Sequence, residues 1–148
     1  MAYDPWADLA GRDDITFGVT RLPKGDGWWM PWVRGIALDD RLDRVGSRCT
    51  VAHELAHVDH DDCHLATAGP DGPRQARRQE SRADQAAARR LIPLPALAAA
   101  LATHPDDAAA AAEELDVTVN VLFCRVQNLH PAEEGQLRAL LDRSDHAP

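Results

Sequence analysis

Every strand-like stretch of this chain lies before Asp43, and everything after it reads as helix or loop. Residues 15–22, ITFGVTRL, alternate and are rich in β-formers, which predicts a strand. KGDG at 24–27 is a turn signal. WWMPWVRGIAL at 28–38 predicts one or two more strands, with Pro31 marking an edge or a break because it cannot donate to a ladder. From about Asp43 to His60 the pattern is helical. Residues 61–76, broken by Gly69, Pro70, Gly72 and Pro73, are expected to be loop. Helices are expected over 77–91, then from Pro95 to about Thr103, Pro105 to Leu115, Thr118 to Leu129 and Pro131 to Arg143. There is no internal repeat. A few strands followed by helices indicate an α+β fold, with a small antiparallel sheet of about three strands and a helical C-terminal half. A length of 148 residues suits one domain spanning 1–148, with 105–143 as a helical tail.

The net charge of −8 is unevenly distributed. Residues 74–90 hold six arginines against two acids, and the segments on either side are acidic. An acidic chain repels phosphates, so direct nucleic-acid binding is not expected. The longest apolar runs are alanine-rich and fall far short of the roughly 20 residues of a spanning helix, so no membrane role is expected. No signal peptide is visible at the N-terminus. Three cysteines without framework spacing fit a reducing, cytoplasmic compartment.

The chemistry concentrates in CTVAHELAHVDHDDCH, residues 49–64, which holds four of the seven histidines. Within it, HELAH at 53–57 is H-E-x-x-H. Residues four apart on a helix lie about 40° apart around the axis and one turn along it, so His53 and His57 can face one cation. Glu54 then stands beside that cation, placed to take a proton from water. Zinc is the expected ion. A five-residue pattern also arises by chance on an amphipathic helix, so a third ligand is needed. Cys63 stands ten residues after His53, where a longer H-E-x-x-H-x-x-G-x-x-H site needs histidine, and it remains a candidate. His64 is one residue too late for that register. His60 lies two helical turns from His53, so His60 and His64 are expected on the cleft rim or in solvent. Glu80 is the alternative, with Asp84 one turn later on the same face. There Asp84 would accept a hydrogen bond from the far nitrogen of a liganding histidine.

TVAHELAH at 50–57 together with ESRADQAAARRLIP at 80–93 resembles the ImmA/IrrE family of zinc metallo-endopeptidases, over roughly residues 8–130. Glu80, Ala83, Asp84, Ala87, Leu91 and Pro93 fall in place, whereas Ala86 and Arg90 replace a usual aromatic and a usual leucine. The resemblance implies a zincin-like fold and one Zn2+ per chain on His53, His57 and Glu80. It implies Glu54 as the base and a narrow protein substrate. Such a substrate is often a helix-turn-helix repressor encoded nearby, cut in a stress, mobile-element or prophage switch.

An oxyanion partner is harder to read. Tyr3 is the only tyrosine and is terminal, which leaves His60, His64 and Arg48 as candidates. Cys49 and Cys124 are expected to be small buried residues. The 108–129 segment offers only Arg125 as a base in its second helix, so packing is preferred to DNA binding. Zinc peptidases of this architecture take substrate as an added strand, and WWMPWVRG is the candidate edge. Trp29 and Trp32 are the candidate capture residues, with Arg74, Arg77, Arg78 and Arg82 attracting acids of the partner. The competing function class is a non-catalytic zinc-containing regulator, against which an intact Glu54 argues.

Overall fold

The computed structural model describes residues 2–63 and 69–144. Its organising element is helix α2, Arg44–Asp59, which lies between two apolar clusters. Val51 and Leu55 face the sheet and pack with Leu9, Trp29, Ile36 and Leu38. Cys49 and Ala52 face the helical half and pack with Ala87, Leu91, Ile92 and Leu97. Burial on two sides explains why α2 lacks one clean apolar stripe. Asp43 caps its start, with the carboxylate accepting the Gly46 N–H at 2.7 Å.

Strands β1, Thr16–Thr20, β2, Gly27–Met30, and β3, Gly35–Asp39, form a sheet of order β1-β3-β2. The sheet is mixed, not antiparallel throughout. β2 runs antiparallel to β3, from Gly27↔Leu38 to Met30↔Gly35, while β1 runs parallel to β3, from Thr16↔Gly35 to Thr20↔Asp39. The cause is the strand order. The chain reverses between β1 and β2 and again before β3, so β1 and β3 point the same way. β3 is the most buried strand and takes the centre, which places β1 beside it in parallel. A 3-10 turn, Pro31–Val33, ends β2 at the proline, and Arg34 at φ 48° completes the reversal.

Two helix starts and one whole helix differ from the sequence reading, and the helix expected from Pro105 begins at Ala108. Helix α3 spans Gly72–Leu91 and begins about five residues early, because Gly72 and Pro73 open the helix instead of interrupting a loop. A short helix α1, Pro5–Ala10, precedes the sheet, capped by Asp4. Helices α4, Leu94–Thr103, α5, Ala108–Glu114, α6, Val119–Gln127, and α7, Pro131–Ser144, complete the helical half. Among the described residues no helix is long and apolar enough to cross a membrane.

Candidate metal centre

Three ligand-type side chains converge where α2 meets α3. His53 Nε2 and His57 Nε2 lie 3.0 Å apart, with the rings edge to face. Glu80 Oε2 is 3.2 Å from His53 Nε2, and Oε1 is 3.2 Å from His57 Nε2. Two donors at zinc-ligand distance from one tetrahedral ion stand about 3.3 Å apart, so the separations suit a shared cation. Among the described residues this is the one such cluster of histidine, cysteine and acid side chains. Cys63 is half-buried and is not in it.

The far nitrogens of both rings are also held. Asp84 Oδ1 is 2.8 Å from His53 Nδ1, one turn along α3 from Glu80. Asp62 Oδ2 is 2.8 Å from His57 Nδ1 and is itself buried. Asp62 was not among the sequence candidates. Its signal was faint: an acid just past the end of a histidine-bearing helix, in a stretch crowded with acids.

Electrostatics follow from these contacts. Burial works to lower the His53 pKa, but Asp84, Glu80 and the Glu54 charge outweigh it and push it up to about 10. His57 is raised too, as the Glu80 and Asp62 hydrogen bonds outweigh burial. Hydrogen bonds from His53 and His57 hold Glu80 well below the usual carboxylate range. A divalent cation at the two Nε2 atoms makes the same favourable contact with Glu80, so it competes with the protons there.

Glu54 is 4 % exposed and lines the same cleft. Burial pushes its pKa up, while the Trp29 backbone N–H supports the charged form. The helix comes this close to β2 because residue 27 is glycine. A Cβ there would stand 2.7 Å from Glu54 Oε1 and 2.6 Å from Thr50 Cγ2. The sequence reading saw only a turn at this position.

The cleft holds about 820 Å³ and runs between β2 and the start of α6, with Thr118, Asn120 and Val121 on the far wall. Trp28 and Trp32 line it, and Trp32 is 63 % exposed. Trp29 instead buries its indole in the sheet core at 2 % exposure, so it contributes backbone and not a capture surface. Alternation explains the division, because Trp28 and Trp29 must point to opposite sides of β2.

Other candidates lie elsewhere. Arg48 donates to the Asp116 carbonyl at 2.7 Å and to the Tyr3 carbonyl, and it does not line the cleft. Five residues from His53 it sits about 140° around the helix, on another face. His60 lies in a separate hollow with Arg78, Arg82 and Arg89, not on the cleft rim. The end of α2 turns it towards the opposite side of α3. His64 lies outside the described residues. Arg74, Arg77, Arg78 and Arg82 do not line the cleft, and Lys24 is the one basic side chain that does among the described residues. Arg125, the one base of the suspected DNA-reading helix, is buried and paired with Glu133. Cys49 is buried as expected, whereas Cys124 is half-buried.

Residues 12–126 match the family model described as the IrrE N-terminal-like peptidase domain. The chain belongs to that family. The match spans the sheet, both site helices and the helices as far as α6, so membership covers the elements that build the His53, His57 and Glu80 cluster. The protein is thus a metallopeptidase of the IrrE type, and its substrates are proteins by class. No individually curated protein matches the chain closely enough to lend it a particular substrate.

Proposed function

We propose that this chain is a zinc-dependent, site-specific endopeptidase with one Zn2+ per chain, held by His53, His57 and Glu80. The observation that carries the reading is the convergence of the two Nε2 atoms, 3.0 Å apart, with one Glu80 oxygen 3.2 Å from each. Two imidazoles and a carboxylate suit zinc and leave a position open for water and substrate. When bound, the ion polarises the scissile carbonyl and acidifies water. The chain's own residues do the rest. Asp84 holds the His53 ring by its Nδ1. Glu54, buried beside the cluster, takes a proton from water on a carboxylate oxygen and passes it to the leaving amine. The outer edge of β2, which faces the cleft, accepts substrate as an extended strand.

The substrate we favour is a helix-turn-helix repressor or similar regulator encoded nearby, cut in the cytoplasm in a stress, mobile-element or prophage switch. The support is the family resemblance together with a tryptophan-lined cleft. The cleft's cation, Lys24, would favour acids beside the cleavage segment.

Metal analysis combined with a cleavage assay on the neighbouring gene's product tests both halves. Glu80→Ala should lose most of its zinc. Glu54→Gln should keep zinc and lose cleavage by at least about 100-fold, the lower range for removing an acid–base group. Full zinc in Glu80→Ala would remove the ligand assignment. Normal cleavage by Glu54→Gln would remove the mechanism.

A further inference from the structure

The end of α2 is built around one residue. His60 N–H bonds the Ala56 carbonyl, Asp61 N–H the Val58 carbonyl at 3.0 Å, and Asp62 N–H the His57 carbonyl at 3.0 Å. Asp61 sits in the left-handed region at φ 53°. This is the Schellman arrangement, with an aspartate where glycine is usual. Asp62 therefore meets His57 twice, through its N–H to the backbone and through Oδ2 to Nδ1 at 2.8 Å. Its other oxygen, Oδ1, accepts from Arg82 Nη2 at 2.5 Å. Arg82 lies on α3, two residues past Glu80.

We propose that Asp62, clamped by Arg82, is a positioning residue for the metal centre. It fixes the tautomer and ring plane of His57 and ties the α2 ligands to the Glu80 helix. The proposal rests on the metal reading given above and extends it to residues outside the ligand set. With Nδ1–H donated to Asp62, Nε2 keeps its lone pair for the cation. Asp84 acts in the same way on His53, so each imidazole is braced by its own carboxylate. The two braces differ in origin. Asp84 comes from the helix that carries Glu80, whereas Asp62 comes from the turn after α2 and reaches α3 only through Arg82. Asp62 and His57 are both buried, so the contact is shielded from water and from salt.

The test uses the full chain loaded with cobalt(II), whose visible spectrum reports ligand geometry. Asp62→Ala should weaken cobalt and zinc binding in chelator competition by about 10–100-fold, the usual effect of such partners, and should alter the visible bands. Asp62→Asn keeps the shape and one acceptor oxygen, so it should lose less and decides the matter if Asp62→Ala fails to fold. Arg82→Ala should weaken binding by a smaller factor, and Arg82→Lys should restore part of it. A residue that only caps the helix would lower the melting temperature and leave affinity and spectrum unchanged. That result for Asp62→Ala, or for Asp62→Asn if the alanine variant is unfolded, overturns the proposal. If wild type and Glu80→Ala bind cobalt equally poorly, the metal reading itself falls and takes this one with it.

Discussion

A single missing methyl sets the distance between Glu54 and the edge strand. Gly27 allows β2 to pass against Glu54 and Thr50 where any larger residue would collide. The atoms in the way belong to side chains, so Gly27→Ala is relieved by moving Thr50 and Glu54 and not by breaking the sheet. The three atoms nearest the added methyl belong to Thr50 and Glu54, and none to His53, His57 or Glu80. Gly27→Ala should therefore retain zinc, lose about 1–3 kcal/mol of stability from overpacking, and lose one to two orders of magnitude in kcat/KM. Zinc content, urea unfolding and cleavage rate measured on one preparation check this. Loss of zinc in step with activity would show that the glycine protects the ligands and not the base. At this scale the sequence was informative for His53, Glu54 and His57, because helical spacing alone brings them together. It was silent on Gly27 and Asp62. Their importance comes from contacts made across the fold, which spacing along the chain does not encode.

The elements divide the tryptophans by role. β2 is an edge strand, bonded to β3 on one side and facing the cleft on the other. Trp29 is anchored in the sheet core beneath the Arg34 guanidinium, 5.2 Å from its ring centre. Trp32 stands outside the strand, on the 3-10 turn, largely in solvent. Trp29→Ala should therefore cost about 3–5 kcal/mol as a large core truncation. Trp32→Ala should change stability by less than about 0.5 kcal/mol, as surface changes do, and should raise KM for the protein substrate. Thermal melts and initial-rate kinetics separate the two. An unchanged KM for Trp32→Ala would move the capture surface to Trp28 or to the α6 wall. Pattern predicted the strands and the break at Pro31, since alternation and proline are local signals. It gave the wrong sense for β1, because pairing partners depend on which strand the core draws to the centre.

At the scale of the molecule, two halves with different legibility share α2. The α+β division and most helix limits were readable from proline and alanine punctuation. The start of α3 was not, because Gly72 and Pro73 serve equally as loop residues and as a helix opening. What locks the helical half was also hidden. Arg125 is 3 % exposed and joins three elements. Its Nε donates to the Ile92 carbonyl at 2.9 Å past the end of α3, and its Nη atoms donate to both Glu133 oxygens on α7. In the sequence it was a lone base on a suspected recognition helix. The Arg125 hydrogen bonds hold the Glu133 pKa down to about 2, from an ordinary 4.5. A carboxylate depressed in the folded state contributes stability that is complete above its unfolded pKa and disappears as pH falls through the folded one. Glu133→Gln should then destabilise the chain at pH 7 by about 1.5–3 kcal/mol, the range for hydrogen bonds to charged groups. The gap to wild type should narrow as pH drops below about 4.5 and nearly close towards pH 2, because wild type loses the same charge there. Urea unfolding of both proteins at stepped pH, with zinc removed by chelator so that the metal centre does not contribute its own acid transition, measures the gap. A gap independent of pH would mean that Glu133 stabilises α7 by shape and not by its charge on Arg125.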